Sequence, residues 1–225
     1  MRVLVVAATE AELSPLEAGL RRVSAVGPRV TRYQAASHDI DVLISGVGMV
    51  ATATWCSRVL SAERFDVALN LGVCGSFRPE IFPGAVVHVV SDRLPELGAE
   101  DGDAFLTVQD MKLLGDDEFP FTGGRLVNAS PPVLGPLASM RAVNGITVNT
   151  VHGNDESIAR VTKRLSPDVE SMEGAAFMYA CLIQGVPFAQ VRAVSNMAER
   201  RNRAAWKLTE AITNLGTVAC QILEP

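Results

Sequence analysis

The chain has 225 residues, enough for one well-buried α/β domain and short for two. Its 48% hydrophobic and 20% charged residues match a soluble globular protein. A net charge of -5 without a basic stripe speaks against nucleic acid as a partner, because phosphate neutralisation needs a cationic surface.

Cys56, Cys74, Cys181 and Cys220 lie in apolar sequence without CxxC spacing, as buried thiols of a reducing compartment do. His38, His88 and His152 are scattered and suggest no metal site. "MRVLVVAATEAEL" lacks the length and cleavage site of a signal peptide, and no apolar run reaches a membrane span. The expected address is cytoplasmic, with no membrane partner.

In chain order, "RVLVVAA" (2–8) predicts a buried strand and "EAELSPLEAGL" (10–20) a helix, with Pro15 unwelcome inside it. "VTRYQAA" (30–36) and "IDVLISG" (40–46) read as a strand pair, and 49–60 as a helix. "FDVALNLG" (65–72) is a buried strand that exits into the glycines of "GVCGS", and "GAVVHVVSD" (84–92) is another. Residues 94–128, rich in Asp, Glu, Gly and Pro, read as a long excursion. "GITVNTV" (145–151) resumes a strand, 154–165 suits a helix, and "EGAAFMYACLIQG" is a buried helix closed by Gly185. "VPFAQVRAVSN" (186–196) is the last strand. In the final helix, 203–223, Leu208, Ile212, Leu215, Ala219 and Ile222 form one apolar face. This alternation predicts a single α/β domain over 1–225 with a largely parallel sheet, whose ligands bind beyond strand carboxyl ends.

Four motifs fall at such ends or at a helix start. In "AATEAE", Thr9 and Glu12 have capping-box spacing, which explains Glu12 without catalysis; a functional carboxylate is the competing reading. In "LGVCGS", Gly72 and Gly75 permit either a tight turn or close approach of a ligand; neither a dinucleotide nor a Walker fingerprint is present. In "VESMEGAA", Glu173 borders an apolar helix and needs a partner, either the helix dipole or vicinal ribose hydroxyls. In "AVSNMAERRNRAAW", Asn196 either turns the chain or offers a donor and an acceptor to a purine edge. Arg200, Arg201 and Arg203 are either a solvated face or a site for a substrate anion beside the Trp206 wall.

Together, "VVAATEAEL", "SGVGMVATATW", "NLGVCGSF", "VESMEGAAFMYACL" and "VRAVSNMAERRNRAAWKL" resemble the nucleoside phosphorylase/nucleosidase superfamily. Within it, the last two blocks most resemble the futalosine hydrolase family. The resemblance implies a three-layer α/β/α sandwich around a mixed, twisted, partly closed sheet. It also implies cleavage of a purine N-glycosidic bond, a reaction for which no metal and no organic cofactor are expected. Glu12 matches the position that activates water, Met172 and Glu173 the ribose clamp, and Ser195 and Asn196 the base-contacting pair. Gly72 falls in the substrate-facing glycine motif. Arg201, Arg203 and Trp206 are candidates for the 5′ end of the substrate. "TVHGNDES" departs from the family's usual "SGD", so 152–157 match a base-lining segment only loosely and His152 receives no catalytic role.

Adenine-specific relatives carry Asp after the serine, whereas Asn196 suits a 6-oxopurine such as the hypoxanthine of futalosine. Acids in the first loop disfavour phosphate, which makes water the expected nucleophile. Members of the superfamily assemble as dimers or larger, so a homo-oligomer is expected. The rival readings are a methylthioadenosine/adenosylhomocysteine nucleosidase, a purine nucleoside phosphorylase and a non-catalytic nucleoside sensor.

Overall fold

The computed structural model describes residues 1–35 and 38–224. In chain order the elements are β1 (Arg2–Ala7), α1 (Glu10–Glu17), β2 (Arg21–Gly27), β3 (Val30–Gln34), β4 (Asp39–Ile44), α2 (Met49–Ala62), β5 (Val67–Ser76), β6 (Val86–Arg93), β7 (Gly98–Asp101), β8 (Ala104–Thr107), β9 (Phe121–Thr122), β10 (Arg125–Val127), β11 (Ala142–Thr147), α3 (Asp155–Leu165), β12 (Val169–Ser171), α4 (Gly174–Gln184), β13 (Phe188–Met197) and α5 (Leu208–Leu223).

Alternate residues of a strand point to opposite faces, and β1 is apolar on both. Val3, Val5 and Ala7 meet Leu13 and Leu16 of α1 and Leu215 and Ala219 of α5. Leu4 and Val6 meet Cys56 and Leu60 of α2 and Ala175, Phe177 and Cys181 of α4. Helices therefore cover both faces, which explains an unbroken apolar run and gives three layers. Each fully buried Leu, Val or Phe contributes about 1.5–3 kcal/mol.

The sheet is mixed, as the resemblance implies and unlike the largely parallel one that the alternation of elements predicts. β1 pairs in parallel with β4 and β5, and β13 with β5. β13 is antiparallel to β6, and β12 is antiparallel to β5. Because β11 joins β12 to β6, the path β5–β12–β11–β6–β13 returns to β5 and closes part of the sheet into a ring.

Several boundaries differ from expectation for identifiable reasons. "GVCGS" is not a strand exit but the end of β5, which bends into the ring with glycines at 72 and 75. The fully exposed β2, invisible to a search for apolar runs, pairs with β3. Ala36, expected to end a strand, lies outside the described residues. The 94–128 excursion carries the β7–β8 hairpin and sends β10 back to β6. The final helix begins at Leu208; Arg203–Ala205 form a separate 3-10 turn. Pro15 stays inside α1, where it cannot bond the Ala11 carbonyl, and the Ser14 hydroxyl donates to that carbonyl at 3.1 Å instead.

Candidate active site

The strand ends converge on a cavity of about 360 Å³. Glu12, Met172, Glu173, Ser195, Asn196, Arg201 and Trp206 all line it, brought together from β1–α1, β12–α4 and β13. Gly72 and Arg203 do not line it.

Glu12 closes the capping box and also lines the cavity. Its Oε2 accepts from the Thr9 backbone N–H at 2.9 Å and the Thr9 hydroxyl at 3.1 Å, which fixes the start of α1. Its Oε1 accepts from the Val73 N–H at 3.2 Å, which ties α1 to β5 across the cavity floor. A carboxylate has about four acceptor positions, so capping leaves capacity facing the cavity.

Gly72 has a different task from the expected one. A Cβ there would lie 2.2 Å from Nη1 of Arg192 and 3.1 Å from Oε1 of Glu12. The glycine makes room for Arg192, a buried cation on β13 with 1% exposure. Arg192 donates through Nη2 to Oδ1 of Asn70, and its Nη1 is 3.8 Å from Oε2 of Glu173. Glu173 in turn accepts from the Gly48 N–H at 3.0 Å through Oε1. Gly48 has φ +95, a backbone state that L residues rarely adopt, and this aims its N–H at the carboxylate. The partner that Glu173 needed is thus Arg192 together with a backbone N–H. Burying both charges is tolerable because they face each other.

A β-bulge separates Val194 from Asn196 in the pairing of β13 with β5. Bulges re-aim side chains, and this one brings both Ser195 and Asn196 to the cavity. The Asn196 amide is fixed from two sides. Oδ1 accepts from the Ser195 hydroxyl at 2.8 Å, and Nδ2 donates to the Met197 carbonyl at 2.9 Å. One lone pair and one N–H remain for a ligand.

The far wall is apolar: Val47, Val151, Trp206, Leu208 and Ile212. Leu208 and Ile212 were expected in the core face of α5. Instead Leu208 is 43% exposed, and the buried stripe runs through Ala211, Leu215, Ala219 and Ile222. Arg201 stacks over Trp206 at 5.2 Å, at the cavity mouth. Arg203 is exposed on the neighbouring turn.

Sequence reasoning passed over Arg192, Asn70 and Glu170. Arg192 and Asn70 sit inside apolar strands, and their signal was the charge or amide in an otherwise buried run. Glu170, 2% exposed, accepts from Nδ1 of His152 at 2.6 Å and from its backbone N–H at 3.1 Å, and both residues line the cavity. Cys74 also lines it, but burial pushes its thiol up to about 12, so no thiolate nucleophile is available there. Among the described residues, no group of three or more His, Cys, Asp or Glu is placed to hold a metal ion. None of the described helices is long and apolar enough to cross a membrane.

A mixed, partly closed sheet between helical layers thus brings buried carboxylates and a fixed amide to one cavity at its strand ends. The chain belongs to the phosphorylase superfamily, whose model matches residues 2–224. It is 31% identical over 225 residues to the futalosine hydrolase of Streptomyces coelicolor, covering 96% of this chain and 92% of that protein. It is 29% identical over 188 residues to the futalosine hydrolase of Thermus thermophilus, covering 80% of each. In fold it is similar to a 5′-methylthioadenosine/S-adenosylhomocysteine nucleosidase from Neisseria meningitidis solved with methylthio-immucillin-A (TM-score 0.79, 19% identity, 99% of this chain and 98% of that one). It is also similar in fold to the futalosine hydrolase of Helicobacter pylori (TM-score 0.75, 13% identity, 99% and 97%).

Proposed function

We propose that this chain is a nucleosidase that hydrolyses the N-glycosidic bond of futalosine, releasing hypoxanthine and dehypoxanthine futalosine in menaquinone biosynthesis. The observation that carries the reading is the Asn196 amide. It is held by Ser195 and Met197 with one donor and one acceptor free, in a cavity shared with Glu12 and Glu173. The relatives named futalosine hydrolase, matched over nearly the whole chain, support it.

Cleavage passes through an oxocarbenium-like ribosyl transition state. The base leaves with the bonding pair and takes a proton at N7 from solvent, while Asn196 donates to O6 and accepts from that N7–H, a stabilisation of about 2–4 kcal/mol. Adenine presents an amino donor where hypoxanthine presents O6, so two donors face each other and adenine is rejected. Glu12 orients water beneath C1′ and takes its proton. Glu173 accepts from the 2′- and 3′-hydroxyls, with Met172 packed beside the sugar, and lies near the developing positive charge. Arg192 holds Glu173 in place.

Water is favoured over phosphate by a specific contact. The Val73 N–H, which would be a natural oxyanion donor, is already bonded to the Glu12 carboxylate. The 5′ extension lies along Trp206, Leu208 and Ile212, with Arg201 at its carboxylate. Arg203, outside the cavity, contributes at most to the field around it. The same reading takes 1–225 as one domain working in the cytoplasm as a homo-oligomer. Exposed Val50, Tyr179 and Ile183 on α2 and α4 offer an apolar face for that assembly. Free hypoxanthine appearing from futalosine tests the reading, and no base release contradicts it.

A further inference from the structure

We propose that His152, oriented by Glu170, is a second specificity-determining residue, which accepts the N1–H of a 6-oxopurine through its Nε2. This rests on the nucleosidase reading and deepens it. The cavity brings one imidazole to the Asn196 side of the site, and the mechanism above leaves that ring unused. His152 Nδ1 lies 2.6 Å from Oε2 of Glu170, and the His152 backbone N–H also bonds this carboxylate. The Glu170 side chain is 2% exposed and that of His152 15%, so the carboxylate is the support and the imidazole meets the ligand.

The tautomer follows from the partner. A carboxylate supplies no proton, so the Nδ1 proton belongs to the ring. In the neutral ring Nε2 is then an acceptor, and it makes no hydrogen bond to any described residue. The edge of Phe77, with ring centroids 6.0 Å apart, limits the ring's rotation.

Placement supports one base contacting both residues. A Cβ at Gly75 would lie 3.4 Å from Nδ2 of Asn196 and 3.4 Å from Cγ of Glu170, so the amide and the His152 support flank one backbone position. The N–H of Arg201 donates to the Gly153 carbonyl at 3.2 Å, which ties the His152 loop to the loop that follows Asn196. Hypoxanthine carries a proton on N1, whereas adenine presents a lone pair there. An acceptor at this position therefore pairs with the first and repels the second. Asn196 and His152 would discriminate at adjacent atoms, O6 and N1.

The test compares wild type, His152→Phe, His152→Ala and Glu170→Gln. It reads kcat/KM on futalosine and on its adenine analogue aminodeoxyfutalosine, and calorimetric binding of free hypoxanthine and adenine. Phe keeps a ring against Phe77, so His152→Phe guards against collapse of the loop. The expected result is a fall of about tenfold or more in the hypoxanthine-to-adenine ratio in both His152 variants, mostly from the hypoxanthine side. Glu170→Gln should move the ratio the same way with His152 retained, because one amide oxygen replaces two carboxylate acceptors. A parallel fall on both bases, or an unchanged ratio, overturns the proposal and leaves His152 a packing residue. Failure of wild type to release either base would instead overturn the nucleosidase reading, while the free-base binding ratio would still decide the role of His152.

Discussion

Replacing Asn196 by Asp changes one atom group and reverses one contact. The amide Nδ2 donates to the Met197 carbonyl at 2.9 Å. An ionised carboxyl would set an oxygen against that carbonyl, while the bond from Ser195 to the other oxygen would survive. The lost bond is worth about 1 kcal/mol, and the opposed acceptors add about 1–3 kcal/mol. Protonation restores a donor, so the introduced carboxyl should titrate above the usual aspartate range in the folded state. The sign follows: the penalty is absent below the ordinary aspartate value and grows as pH rises through the higher folded-state value. Melting temperatures of wild type and Asn196→Asp, compared from about pH 4 to about pH 8, should diverge as pH rises. The variant should also lose about 100-fold or more on futalosine and gain relative activity on aminodeoxyfutalosine. A melting deficit independent of pH, or unchanged base selectivity, would refute this account of the amide.

Other perturbations probe other parts of the site. Glu12→Gln should lower kcat by about 100- to 10,000-fold with futalosine binding nearly unchanged, measured by single-turnover assay and calorimetry. Its stability should fall by only about 1 kcal/mol, since the amide oxygen can still accept one cap bond. Gly72→Ala places a methyl 2.2 Å from Nη1 of Arg192, the nitrogen that faces Glu173, so the guanidinium must shift. Full kcat/KM in that variant would count against Arg192 as the support of Glu173. Asp92 is buried among β6, β11 and β13, bonded by Thr147 and Gln190, and burial raises its carboxyl to about 6. A raised folded-state value means that this group's contribution is fullest below the unfolded aspartate range and is lost as pH rises to about 6, a change on the order of 2–3 kcal/mol. The difference in unfolding free energy between wild type and Asp92→Asn should show that slope and then flatten.

Much of this site was legible because its carriers stand at sequence boundaries. Glu12 follows a strand, Glu173 precedes a helix, and Asn196 ends an apolar run. Each such transition marks where a sheet opens to ligand. What stayed hidden depends on contacts between distant segments. Arg192 looks like an interruption of β13 until Asn70, Gly72 and Glu173 surround it. His152 and Glu170 are far apart in sequence and meet only because β11 and β12 are neighbours. The bulge that turns Asn196 inward leaves no local mark, since Val194 and Ser195 suit a regular strand. Leu208 and Ile212 fit the core periodicity of α5, yet they lie over the cavity instead of the sheet. Gly72 was visible as a permissive residue, but whether it admits a ligand or another side chain is decided by β13.

The central claim is hydrolysis of a 6-oxopurine nucleoside without phosphate. It is tested most directly by following base release from futalosine chromatographically in phosphate-free buffer, with aminodeoxyfutalosine alongside and phosphate added afterwards. Hypoxanthine release that is unaffected by phosphate, with little adenine released from the analogue, is the predicted result. Release that begins only when phosphate is added, or preferential release of adenine, would contradict it.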